Sequence, residues 1–312
     1  MVGLVGYTKL HLKPRDPPIK TMAKNIMIDE YQQISIFTNE FLDVALVTLK
    51  QCTSTPYAVN EDGSIGALVY GNLFDLKKGL AYLKRLGHKI GDENNIAEYF
   101  VHAFEEWGKK AFYNLNGSFS AVIFTLKPCE IFLLTDRFST RPIYYTLVKN
   151  ELIFSSHPRG ILGYPYHKEL NEKTLVKFLS YGKIGIIGDD TWFKGIRVMP
   201  SASILYFSNG KYSMEKYWDL KYESRLSKEE VVNFLIKTFV KAINKRAEKC
   251  KKGLSVLLSG GLDSRTVLGA MNSENIKKIV AVTFGVEGCD EIALSKRVTG
   301  KLGVKHVIIE YN

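Results

Sequence analysis

The chain has 312 residues, of which 46% are hydrophobic and 24% charged, the balance of a globular protein with enough apolar material for two cores. Its 43 basic residues against 32 acidic ones give a net charge of +11, which favours small anionic partners such as nucleotides. No apolar run reaches the ~18 residues of a membrane span, and the opening MVGLVGYTKL has neither a basic stretch nor a small-residue cleavage site, so the sequence predicts a cytoplasmic protein with no membrane partner.

In chain order, apolar runs bounded by Gly, Pro, Asn and Asp predict strands at Gly3–Thr8, Val44–Lys50, Ile65–Tyr70, Phe119–Thr125, Ile131–Thr135, Ile143–Val148, Glu151–Ser155 and Ser203–Phe207. Two helices interrupt them. Asn95–Trp107 carries Ile96, Tyr99, Phe100, Ala103, Phe104 and Trp107 at helical period, and Leu73–Leu86 is the second, weakened by Gly79. Many strands with few helices predict an α+β layered domain over residues 1–217. The pattern then changes. Ser227-Lys-Glu-Glu230 is a capping box opening a helix with Val231, Val232, Leu235, Phe239, Ala242 and Ile243 on its apolar face. A buried strand at Leu254–Leu258, a helix from about Arg265 to Met271, a strand at Ile279–Phe284, a helix at Glu291–Leu302 and a strand at His306–Ile309 follow. That alternation predicts the start of a doubly wound α/β domain over 228–312. Three parallel strands are few for this architecture, so the sequence points to a fragment or to completion by another chain.

Between the buried strand and its helix lies Ser259-Gly260-Gly261-Leu262-Asp263-Ser264. Glycines without Cβ let backbone amides approach an anion closely, and the following helix presents its N-terminal amides and positive dipole end. Ser259 and Ser264 offer hydroxyls. Asp263 is cast as a Mg²⁺ partner or as a brace for the loop. The bland alternative is a structural strand–turn–helix. The motif is neither a Gly-Lys-Ser/Thr phosphate loop nor GxGxxG.

SGGLDS in this context resembles the pyrophosphatase loop of the family containing asparagine synthetase. Thr283-Phe284-Gly285-Val286, Asp290-Glu291 and Leu302-Gly303-Val304-Lys305-His306 resemble asparagine synthetase in order and spacing. The resemblance implies ATP and Mg²⁺, a carboxylate such as aspartate that is adenylated and then attacked by an amine, and nucleotide contacts from Leu258, Ser259, Gly260, Gly261, Asp263, Ser264 and Val286. Leu258 and Val286 also suit plain core packing, and Asp290 and Glu291 suit a helix N-terminus.

The first domain is similar to that family's N-terminal-nucleophile glutaminase, which implies an α/β/β/α sandwich. The resemblance rests on Met1-Val2-Gly3-Leu4-Val5-Gly6, Leu115-Asn116-Gly117-Ser118-Phe119-Ser120, and Asp136-Arg137-Phe138-Ser139-Thr140-Arg141-Pro142-Ile143-Tyr144-Tyr145 followed by Phe154-Ser155-Ser156. Four parts of the family's site are missing. Val2 stands where the pattern has the nucleophilic cysteine, and no Arg lies in Val44–Leu49 to grip a carboxylate. The oxyanion Asn-Gly-Glu has become Tyr70-Gly71-Asn72, and no acid stands at Ile96. The expected catalytic set of this domain is therefore empty, and the amine would be free ammonia or one borne by the substrate.

Cys52, Cys129, Cys250 and Cys289 are widely spaced and predict reduced thiols rather than disulfides or zinc ligands; no His stands at metal spacing beside them. His11, His88, His102 and His157 read as loop or surface residues. Lys245, Arg246, Lys249, Lys251 and Lys252 read as the cationic end of a helix, so no specific nucleic-acid partner is expected. Self-association into a homo-oligomer stays open. Besides the ligase, two further readings follow: a β-lactam-synthetase-like ligase acting on another carboxylate, and a non-catalytic nucleotide-binding or assembly protein.

Overall fold

The computed structural model describes residues 3–10, 18–51, 56–182, 188–222, 226–247, 253–273 and 278–311. The chain divides into two compact units, Met1–Lys221 and Tyr222–Asn312.

Unit one contains β1 (Gly3–Thr8), α1 (Ile19–Ile26), β2 (Gln32–Thr38), β3 (Leu42–Leu49), β4 (Tyr57–Val59), β5 (Ile65–Leu73), α2 (Leu76–Arg85) and α3 (Ile96–Trp107). After a 3₁₀ turn at Gly108–Phe112 come β6 (Gly117–Leu126), β7 (Cys129–Thr135), β8 (Tyr144–Val148), β9 (Glu151–Ser155), α4 (Pro158–Leu162), α5 (Glu172–Tyr181), β10 (Arg197–Val198), β11 (Ser203–Ser208) and β12 (Lys211–Lys216). The strands form two six-stranded sheets, ordered β10-β8-β9-β1-β3-β2 and β12-β11-β7-β6-β5-β4.

The period-2 alternation of the central strands explains the layering. Along β3, Leu42, Val44 and Leu46 face the core shared by the two sheets, while Ala45 and Val47 face α1 and α4. Along β6, Val122 and Phe124 enter the same inter-sheet core, while Phe119, Ala121 and Ile123 face α2 and α3. Helices therefore cover the outer face of each sheet, giving the α/β/β/α sandwich. Phe100 is fully buried at the centre of the outer core, with ring centroids 5.1 Å from Phe119 and 6.1 Å from Phe112; burying such a side chain contributes about 1.5–3 kcal/mol.

All eight expected strands of this unit are present. α3 forms as its apolar period predicts, with Asn95 capping it: the side-chain oxygen accepts from the Ala97 N–H at 3.0 Å. α2 forms despite Gly79. The sequence reading passed over α1, β2, β4, α4, α5, β10 and β12. α5 leaves Leu175, Val176, Leu179 and Tyr181 exposed. β12 is a sheet edge of alternating Lys, Tyr, Ser and Glu with no apolar run to betray it.

Unit two contains α6 (Lys228–Ala247), β13 (Leu254–Leu257), α7 (Leu262–Ser273), β14 (Ile279–Gly285), α8 (Asp290–Leu302) and β15 (Lys305–Glu310). The capping box forms: the Ser227 N–H donates to Glu230 Oε2 at 2.8 Å, and the Glu230 N–H donates to Ser227 Oγ at 3.3 Å. The expected burial of the helix's apolar face does not follow. No residue of α6 is buried, and only Ile243 packs against the unit's core. β13, β14 and β15 pair in parallel in that order, the expected strand–helix alternation. No described helix is long and apolar enough to cross a membrane.

Candidate functional site

The loop after β13 is placed by its own hydrogen bonds. Leu258, 2% exposed, donates its N–H to the Val282 carbonyl at 2.8 Å and so continues the strand into the core. Its carbonyl is held from both sides: the Thr283 hydroxyl of β14 donates at 2.7 Å and the Ser295 hydroxyl of α8 reaches it at 3.3 Å. Because Thr283 spends its proton there, its oxygen accepts from His306 Nε2 at 2.8 Å, which assigns the ring proton to Nε2. Burial, with Lys296 nearby, holds the His306 pKa below its ordinary value and so favours this neutral form. None of Thr283, Ser295 and His306 was singled out as a brace from sequence; the only signal was a polar residue inside each apolar run.

Beyond Leu258 the chain turns directly into α7, which starts at Leu262, three residues before the expected position. Ser264 ties the turn together. Its hydroxyl donates to the Ser259 carbonyl at 2.9 Å and accepts from the Ser259 N–H at 3.2 Å. Ser259 Oγ lies 3.1 Å from it and accepts from the Gly261 N–H at 3.3 Å. The two hydroxyls, read from sequence as donors to an anion, are thus turned into the loop and brace it. The first-turn amides of Leu262, Asp263 and Ser264 have no i−4 partner in the helix and project from an exposed turn, the arrangement that attracts phosphate oxygens.

Gly260 is needed for a reason the sequence did not supply. A Cβ there would stand 2.9 Å from Leu294 Cδ1 and 3.5 Å from Glu291 Cα of α8, so the missing side chain lets the loop sit against that helix. The contact also brings the α8 N-terminus, with Asp290 and Glu291 in its first turn, beside the loop. Asp263 is exposed in the first turn of α7. Val286, at the end of β14, is 48% exposed. Loop, acids and Val286 therefore lie at the C-terminal ends of parallel strands, where doubly wound sheets bind ligands.

In unit one the three motif patches become neighbours. Val2 lies outside the described residues. The strand that follows it, β1, pairs with β9, with Val5 opposite Ser155 and Gly6 opposite Phe154; Ser156 Oγ accepts from the Leu4 N–H at 3.1 Å. Gly71 and Asn72 on β5 face Phe119 and Ser118 on β6. Gly71 has φ 133° and a Cβ there would lie within 2.1 Å of the Ser118 carbonyl oxygen, so this position accepts only glycine. Arg141 Nη1 donates to the Tyr70 hydroxyl at 2.9 Å and its guanidinium lies 4.9 Å from the Tyr70 ring. Ile96, where the family's acid would stand, is buried in the outer core.

The Asp136–Arg141 loop is organised by Asp136, which is 1% exposed. One oxygen accepts from the N–H groups of Phe119 and Thr140, both at 3.1 Å, and the other from Phe138 N–H at 2.9 Å. Ser139, at a place where the resembling pattern has glycine, is forced to φ 48°, and its hydroxyl is buried without a partner. Ser139→Gly removes both penalties and is expected to raise stability by about 1 kcal/mol in urea unfolding.

The histidine reading needs correction. His102 is not a surface residue: it lies inside α3, 1% exposed, 5.0 Å ring to ring from His88. His157 does lie in a loop, capping α4 by accepting from the Arg159 N–H at 3.2 Å. His11, Cys52 and Cys250 fall outside the described residues; Cys129 and Cys289 are free thiols. Lys245 and Arg246 do end a helix, α6, while Lys249, Lys251 and Lys252 fall outside the described residues.

A four-layer amidotransferase scaffold followed by a parallel α/β unit with a serine-braced glycine turn defines a class. The glutamine amidotransferase domain family matches residues 1–218, and the asparagine synthase family matches residues 235–312. The chain belongs to the glutamine amidotransferase domain family, and its C-terminal unit matches the start of an asparagine synthase domain. Among curated relatives, it is 26% identical over 283 residues to the amidase chyE of Penicillium rubens, covering 84% of this chain and 41% of that protein. It is 26% identical over 237 residues to asparagine synthetase [glutamine-hydrolyzing] 3 of Bacillus subtilis, covering 74% of this chain and 38% of that one. The chain therefore spans less than half the length of these relatives. A solved glutamine phosphoribosylpyrophosphate amidotransferase from B. subtilis, complexed with ADP and GMP, aligns with TM-score 0.44 at 10% identity, covering 98% of this chain and 65% of that one.

Proposed function

We propose that the chain provides the nucleotide-binding part of an ATP-dependent carbon–nitrogen ligase of the asparagine-synthetase kind, on an amidotransferase scaffold that does not hydrolyse glutamine. The observation that carries this reading is the serine-braced turn Ser259–Ser264, pressed against α8 through Gly260 and opening onto the free amides of α7. In this reading the amides of Leu262, Asp263 and Ser264 receive the β and γ phosphates of ATP. Asp263, with Asp290 and Glu291 nearby, suits Mg²⁺ as a set of exposed oxygen donors. The backbone end of Leu258 and the exposed Val286 flank the adenosine side. Mg²⁺ would neutralise the pyrophosphate as it leaves. The substrate carboxylate, aspartate by family likeness, attacks the α phosphorus to form an acyl-adenylate, which an amine then opens to the amide.

Val2 has neither thiol nor the means to make an acyl-enzyme, and Tyr70-Gly71-Asn72 stands where the oxyanion Asn-Gly-Glu would be. Ammonia, or an amine carried by the substrate, is therefore the nitrogen source. Exchange of labelled pyrophosphate into ATP tests the adenylation directly, run with aspartate and a panel of other carboxylates. Carboxylate-dependent exchange that falls at least 100-fold in Asp263→Ala is expected. Tight Mg-ATP binding with no exchange for any carboxylate would leave a nucleotide-binding protein and remove the ligase.

A further inference from the structure

At the opposite end of β5 from Gly71, four side chains from three separate segments converge. Glu61 comes from the β4–β5 turn, His88 from the α2–α3 connection, and His102 and Glu105 from α3. One ligand atom from each lies within 4.8 Å of all the others. The closest approaches are 3.5 Å from His88 Nδ1 to Glu105 Oε2, 3.6 Å from His102 Nδ1 to Glu105 Oε2, and 3.7 Å from His102 Nδ1 to Glu61 Oε2. A tetrahedron with ~2.0–2.1 Å bonds has edges of about 3.4 Å, so these spacings match the outline of a four-ligand zinc site with little adjustment.

Two independent observations point to a cation. First, His102 Nδ1 is buried and has no hydrogen-bond partner, although its ring is 1% exposed and aimed into the cluster. Buried imidazole nitrogens are rarely left this way. Second, four carboxylates surround two imidazoles, since Glu98 and Glu106 also approach them, and no Lys or Arg is ion-paired to any of the four among the described residues. A cation of charge +2 answers both.

The outer contacts are those of a built metal site, because the other atom of each would-be ligand is held. His102 Nε2 lies 3.3 Å from Glu98 Oε2 and His88 Nε2 lies 3.2 Å from Glu106 Oε2, the carboxylate–histidine pairing that orients metal-binding rings. Glu105 Oε1 accepts from Asn60 Nδ2 at 3.0 Å, and Glu61 Oε1 accepts from the Lys89 N–H at 2.8 Å. Each ligand thus turns one atom to its support and one to the common centre.

We propose that Glu61, His88, His102 and Glu105 bind one divalent transition-metal ion of the zinc type. The ion ties the β4–β5 turn and the α2–α3 connection to α3, as a four-ligand structural clamp rather than a catalytic centre. The strand from Ile65 to Gly71 separates it from the former oxyanion position by ~20 Å at the usual rise.

The test uses the untagged protein, stripped with a chelator and titrated with ZnCl₂ and with CoCl₂. One equivalent is expected to bind per chain, with Co²⁺ giving the intense blue absorption of tetrahedral coordination. At free Zn²⁺ about 100-fold above the dissociation constant, the unfolding midpoint should rise by about 5–10 °C. Glu61→Gln and His88→Gln, both on turns outside the helices, should fold normally and weaken binding about 10–100-fold or more. His102→Asn should abolish it. Absence of saturable Zn²⁺ or Co²⁺ binding would overturn the proposal. Binding unchanged in Glu61→Gln and His88→Gln would overturn it equally, by placing the ion elsewhere.

Discussion

Gly260→Val is expected to lower the affinity for Mg-ATP more than 100-fold, a loss of about 2.7 kcal/mol, while unit two keeps its secondary structure. The Cβ alone would come within 2.9 Å of Leu294 Cδ1. That atom ends a flexible side chain, so alanine can be accommodated by a small shift. Valine adds two methyl groups to a Cβ that already stands 3.5 Å from Glu291 Cα, and backbone cannot yield in the same way. The loop must swing away from α8. That movement breaks the Ser264–Ser259 hydrogen bonds, which hold the free amides of α7 in place. Gly269→Ala supplies the control. It lies within α7, the helix that follows the turn, a Cβ there meets nothing within 4 Å, and it should leave nucleotide affinity unchanged while adding about 0.5–1 kcal/mol of helix stability. Isothermal titration on the two variants separates a loop effect from a helix effect.

The second large effect is structural. Asp136→Ala is expected to destabilise unit one by about 3–5 kcal/mol in urea unfolding. The carboxylate is almost wholly buried and accepts three backbone N–H bonds, from Phe119, Phe138 and Thr140. Removing it strands the buried Phe119 N–H away from water and costs the loop the bonds from Phe138 and Thr140. The Asp136 backbone is also a junction, since its carbonyl accepts from Ser139 and Ala202 and its N–H donates to Phe119. Asp136→Asn keeps one acceptor oxygen and should lose roughly half as much. The contrast between the two distinguishes lost acceptors from lost volume.

Much of this architecture could be read directly from residue order. Strands such as β3 and β6 announce themselves because both faces are buried, leaving near-continuous apolar runs. The glycine turn was visible because its strand and helix neighbours have different hydrophobic periods. What stayed hidden depends on contacts distant in sequence. His102 sits on the buried side of α3, yet its significance comes from Glu61 and His88, brought in by a turn and a connection that no local pattern links. The same holds for Thr283, Ser295 and His306, each a polar residue in an apolar segment until the sheet stacks them beneath Leu258. Gly260 was recognised for the close approach of its backbone to an anion; the sequence held no sign that helix α8 also leaves little room for a side chain there. The apolar residues of α6 show the converse, positions at helical spacing none of which is buried among the described residues.

The central claim is that the turn Leu258–Ser264 receives the pyrophosphate end of ATP. Calorimetric titration of the chain with Mg-ATP and, separately, with Mg-pyrophosphate tests it most directly, followed by titration of each in the presence of the other. A single shared site is predicted, with each ligand displacing the other and adenosine alone binding far more weakly than ATP. Failure of both ligands to bind, or ATP binding that saturating pyrophosphate does not disturb, would contradict the account.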